Sequence, residues 1–127
     1  MSSELVNISI GELWDKYSIL LIKKDKINNT EKKKYINLEI KYLNTNMNKY
    51  EFKTNSLFIN LKKINEKLWD IEDKLRIKEL NKEFDEDFIN LARNVYFTND
   101  ERAICKKDIN NLFGSNIHEI KDYVIYK

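Results

Sequence analysis

The 127 residues of the chain fit one domain, large enough to bury about two thirds of the unfolded surface in a single core. Charged residues make up 35% and hydrophobic ones 42%, net charge is only +2, and no apolar run approaches the roughly 18 residues needed to span a bilayer, which excludes a membrane helix. The start MSSELVN lacks the basic run and apolar core of a signal peptide, so the expectation is a soluble, cytoplasmic protein.

Zero prolines and two glycines leave little to interrupt helices. Val6, Ile8 and Ile10 alternate with Asn7 and Ser9, a short β-like start. Ser9 followed by Glu12 fits a capping box and predicts a first helix from near Ile10 to about Asn28. Ile10, Trp14, Tyr17 and Leu21 form its inward stripe, widened by Leu13 and Leu20. The opposite face carries Glu12, Asp15, Lys16, Lys23 and Lys26 around Ile19. A β-branched apolar residue seldom sits in the middle of a solvated face, so partial cover of this face is expected.

Thr30 is the next N-cap candidate, and Ile36, Ile40, Leu43, Met47 and Tyr50 then repeat at spacings of four and three. A matching seam of Leu57, Leu61, Ile64, Leu68, Ile71 and Leu75 marks a long central helix from Ser56 to about Lys82. The short link near Phe52 to Asn55 predicts that these two helices fold back as an antiparallel hairpin. Asp85 caps a further helix through Phe97, with Phe84, Phe88, Leu91 and Val95 facing inward. Thr98 and Glu101 form a second capping box, predicting a fifth helix that Gly114 ends. Tyr123 to Tyr126 has strand-forming residues that could pair with Val6 to Ile10. The expected fold is a single all-α domain: an antiparallel bundle of about five helices around a long central helix and hairpin, with a two-stranded ribbon of the termini as an option.

Three stretches, IGELWDKYSILLIKKDKI at 10–27, LWDIEDKLR at 68–76 and FINLARNVYFTNDERAICKKDIN at 88–110, together resemble a family of small proteins catalogued as domain of unknown function 6165, with members in bacteria and viruses. The resemblance covers most of the chain and implies a shared fold. It supplies no catalytic residues, because the family carries no established activity.

Lysine outnumbers arginine 20 to 3, alongside 17 asparagines and 17 isoleucines, a bias that fits an AT-rich genome. Positive charge concentrates in residues 23–82, which hold 16 bases against 9 acids. The basic run Lys32 to Lys34 has no interleaved aromatics, which disfavours nucleic acid as a partner. The lone Cys105 cannot form an internal disulfide, and no cysteine and histidine cluster has metal-ligand spacing, so neither metal nor cofactor is implied. His118 is the single histidine and lies beyond the helices, leaving a nucleophilic triad unsupported.

Against that background Arg76, Arg93 and Arg102 stand out, because arginine offers a planar fork that lysine lacks. In one reading they converge with Lys16 or Lys106 on an anionic, phosphorylated or carboxylated ligand. In the other they form structural ion pairs with Glu72, Asp73, Asp100 or Glu101. Glu12, Asp15, Glu72 and Asp73 are candidates for an acid and a base if burial drives their pKa values apart. Trp69, Glu72, Asp73 and Arg76, with Asn65, also form a polar flank beside the central seam, expected to face the first helix and the region from Arg93 to Lys106. A buried Arg76 paired there would cost about 3 kcal/mol to replace by leucine. With two seams and no reaction motif, the favoured function is a non-catalytic interaction or assembly module, pairing with a protein partner or with itself; the alternative is a binding protein or enzyme for a small anion.

Overall fold

Side-chain caps set where each helix begins. Ser9 Oγ accepts from the backbone N of Glu12 at 3.1 Å, Asn29 Oδ1 from Lys32 at 3.0 Å, Asn55 Oδ1 from Leu57 at 2.9 Å and Asp85 Oδ1 from Phe88 at 2.9 Å. In this computed structural model, which describes residues 2–126, they open α1 (Ile10–Lys26), α2 (Thr30–Met47), α3 (Ser56–Leu80) and α4 (Glu86–Phe113). Asn29 rather than Thr30 caps α2. Gly114, at φ 62°, adopts the left-handed conformation that ends α4 and donates its N–H to Asn110 O.

The chain therefore has four helices among the described residues, not five, because α4 runs unbroken through Thr98. A cap contributes only about 1 kcal/mol. A break would orphan the backbone groups of two helix ends, and residues 86–113 contain neither glycine nor proline to make one. Thr98 is buried instead of capping, and its Oγ1 finds no partner among the described residues. The ribbon of the termini is also not formed: no strand appears among the described residues. An isolated two-strand ribbon is marginal, and both segments have other attachments. Ser9 caps α1, Ser115 N donates to Asn110 O at 2.9 Å, and Tyr126 packs its ring against Tyr96 and Phe97.

The expected hairpin of the second and third helices is overturned as well. No Cα of α2 comes within 8 Å of one in α3, whereas α1 packs against α2, α3 and α4, and α3 packs along α4. The organising helix is α1. The reason lies in the link between α2 and α3, where Tyr50 and Phe52 are drawn into the core: Phe52 meets the Tyr17 and Phe58 rings at 5.3 and 5.0 Å, and Tyr50 meets Trp14 at 5.8 Å. Anchored this way, the link carries the chain across the Trp14 and Tyr17 face of α1 rather than doubling it back. The two seams then meet α1 separately, with Ile36, Ile40 and Met47 from one side and Leu61, Ile64 and Leu68 from the other, around a fully buried Trp14.

Beyond this core α3 and α4 continue as a pair. Lys26, the last residue of α1, reaches Asp70 at 3.8 Å, so residues 71–80 run past the end of α1. No residue from Glu72 to Phe97 is buried. Leu75, Phe88, Leu91, Ala92 and Val95 are half-buried in this arm, while Ile77, Leu80, Phe84 and Ile89 are exposed.

Candidate functional site

At the opposite end of the molecule α1 crosses α4 so closely that a Cβ on Gly11 would lie 2.5 Å from Lys106 O. That crossing requires glycine. It also supplies the first turn of α1 with partners from α4 and the segment after it: Gly11 N donates to Asn110 Oδ1 at 2.6 Å and Ile10 N to Ser115 Oγ at 3.3 Å. One turn further on, the close approach brings Asp15 under Arg102 and Lys106.

Asp15 is 1% exposed, and its carboxylate is fully engaged. Oδ1 accepts from Arg102 Nε at 2.9 Å and from Asn65 Nδ2 at 2.9 Å; Oδ2 accepts from Arg102 Nη2 and lies 3.8 Å from Lys106 Nζ. Asn65 Nδ2 also donates to Ser18 Oγ at 2.8 Å, and Ser18 donates back to Asp15 O, so α1, α3 and α4 are joined at one point. Lys106 Nζ donates to Glu12 Oε2 at 2.6 Å and to Glu119 Oε2 at 2.7 Å, and Glu119 Oε1 lies 3.2 Å from Lys121 Nζ.

The hydrogen bonds to Asp15 hold the Arg102 guanidinium above its ordinary pKa. Burial works to lower the Lys106 ammonium, but bonds to Glu119 and Glu12 outweigh it and the net shift is upward. Lys106 in turn holds Glu119 below the usual carboxylate value, with burial opposing. A depressed carboxylate contributes above its unfolded pKa, so the Glu119 tie is present at neutral pH and is lost as pH falls through that lowered value. Every carboxylate here has a cation and every cation a carboxylate, so the network clamps α1, α4 and the segment after it together.

Of the residues singled out by sequence, Glu12, Asp15, Arg102 and Lys106 come together. Lys16 is exposed at the margin, 3.7 Å from Glu12. The others do not join them. Arg76 is 72% exposed and pairs at 3.2 Å with Glu72 on its own helix, so its expected burial against α1 is wrong: α3 has already passed the end of α1 there. Asp73 is exposed and Trp69 half-buried. Arg93 is exposed, its guanidinium 5.5 Å from the Phe97 ring centroid, and Asp100 accepts from Tyr126 Oη. Ser18, Asn110, Ser115, Glu119 and Lys121 carried no sequence signal for the site. Asn65, in the polar flank, did, since an amide flanking an apolar seam needs a buried partner.

A cleft of about 260 Å³ opens over the network, lined by Glu12, Asn99, Arg102, Lys106, Glu119 and Lys121. No group of three or more His, Cys, Asp or Glu side chains is placed to hold a metal ion, and no helix is long and apolar enough to cross a membrane, among the described residues. Compared with protein-family models, curated proteins and solved structures, the chain matches none.

Proposed function

We propose that the protein is a non-catalytic helical assembly module that pairs with a second copy of itself through the arm of α3 and α4. The observation that carries this reading is the arm itself: Ile77, Leu80, Phe84 and Ile89 are exposed on a helix pair that has no buried residue from Glu72 to Phe97. Its charge pattern favours a second copy as the occupant. Residues 79–88 at the tip carry five acids and one base, while residues 72–78 and 89–97 at the root carry four bases and two acids. Two arms laid antiparallel set each acidic tip against the other's basic root, a self-complementary arrangement with two-fold symmetry. The resemblance to domain of unknown function 6165 belongs to the same proposal and extends the fold, and with it the arm, to that family.

Light scattering after size-exclusion chromatography, repeated over a range of concentrations, tests this. The expected result is a monomer and dimer in equilibrium, weakened by Leu80→Glu with Phe84→Glu and by raising salt to about 1 M, where the screening length falls to about 3 Å. A strictly monomeric parent at high concentration would count against it.

The second reading, a small-anion protein, is narrowed by the arginine positions. Arg76 and Arg93 lie on the arm, so only Arg102, with Lys106, remains to support it.

A further inference from the structure

We infer that Glu119 is a removable plug, its carboxylate filling a site for a small oxyanion formed by Lys106, Arg102 and Lys121. This site is at the other end of the molecule from the arm and does not depend on the assembly reading. The three carboxylates around Lys106 Nζ are unequal. Glu12 and Asp15 stand on α1 and are fixed by helix packing, while Glu119 stands on the irregular segment that follows α4 and is 40% exposed. Its bonds at 2.7 Å to Lys106 and 3.2 Å to Lys121 have the geometry a ligand carboxylate or phosphate would adopt there.

The segment is held at Ser115, through Ile10 N and Ile117 O, and again at Tyr126, which donates to Asp100 and packs on Tyr96 and Phe97. Between those anchors it buries little, with Ile120, Tyr123, Val124 and Ile125 exposed. On a span so loosely packed, the part-exposed Glu119 side chain can rotate out into water at small cost while Lys121 stays beside the cleft. When Glu119 swings out, Lys106 keeps Glu12 and Arg102 keeps Asp15, but the 260 Å³ cleft loses one negative charge and Lys121 loses its partner. The incoming anion faces Arg102, Lys106 and Lys121 against Glu12 and the buried Asp15, with Asn99, whose Oδ1 takes Arg102 Nη1 at 3.4 Å, as a polar wall. Three cations against two carboxylates leave one net positive charge for an anion to meet.

The full chain titrated with inorganic phosphate and, separately, with succinate at neutral pH tests the plug, with binding read from the amide resonances of residues 115–121. Glu119→Gln removes the competing charge and is expected to bind the preferred anion at least about tenfold more tightly than the parent. Lys121→Ala, an exposed change that leaves the clamp intact, is expected to weaken binding several-fold. Phosphate binding alone assigns the site to phosphorylated molecules, succinate alone to dicarboxylates, and both together to the shared oxyanion chemistry. If neither anion shifts those resonances in the Glu119→Gln chain, or if Glu119→Gln and the parent bind equally, the plug does not exist.

Discussion

An arginine meets a carboxylate at two places in this chain, and the settings are opposite. Arg102 and Asp15 are 87 residues apart, on different helices, with side chains 28% and 1% exposed. Arg76 and Glu72 are one helical turn apart on α3, with side chains 72% and 48% exposed. The first pair fixes where α4 lies against α1 and, through Asn65, where α3 lies against both. The second ties a helix to itself. What separates them is desolvation: an exposed pair exchanges water for a partner at nearly equal free energy, whereas removing one member of a buried pair strands the other.

The sharpest way to break the comparison is Asp15→Ala. It leaves the Arg102 fork, Asn65 Nδ2 and part of the Lys106 charge without their buried acceptor. The expected loss is about 3–5 kcal/mol, read as a shift of the urea midpoint at unchanged slope. A loss under about 1 kcal/mol would mean that water reaches the network and that the two pairs are alike after all.

A smaller effect is expected where packing rather than charge sets the crossing. Gly11→Ala places a Cβ 2.5 Å from Lys106 O and 2.9 Å from Asn110 Oδ1, and the first contact is backbone, which cannot swing aside. The α1 and α4 helices must separate, lengthening the bonds from Gly11 N to Asn110 and from Lys106 to Glu12. About 2 kcal/mol of destabilisation is expected from overpacking, against less than about 1 kcal/mol gained from the better helix propensity of alanine. Thermal melting decides the sign: a variant that melts above the parent would show that the crossing has slack.

These two residues also mark how far the sequence could be read. The class of fold, the caps at Ser9 and Asp85, the stop at Gly114 and most core positions follow from local pattern, because capping and helical periodicity act within a few residues. Which helices meet does not follow. The seams of α2 and α3 are alike in spacing and say only that each faces something apolar; the anchoring of Tyr50 and Phe52 decided that both face α1. Asp15 lay on a face expected to be partly covered, but what covers it was not legible, because its burial depended on a glycine a turn earlier letting α4 in. Thr98 gave a capping signal that the longer-range preference for an unbroken helix overrode.

The smallest expected effect is the most direct check on the contrast, since it concerns the arginine that sequence geometry would have buried. At Arg76→Leu the lost partner is a Glu72 carboxylate already half in water, reached by one bond of 3.2 Å from Nη1, with a second weak bond from the same atom to Glu72 O at 3.1 Å. An (i, i+4) surface pair contributes about 0.3–0.5 kcal/mol. Leucine matches arginine in helix propensity and keeps most of the apolar stem, so the stability change should stay within about 0.5 kcal/mol, an order of magnitude below that of Asp15→Ala. Association should respond in the opposite order. Arg76 is one of the four basic residues at the root of the arm, and its loss weakens the antiparallel pairing at low salt while leaving the melting of the monomer unchanged. An Arg76→Leu chain that loses several kcal/mol of stability would put the arm inside the core, and the distinction between the two ends of the molecule would fail.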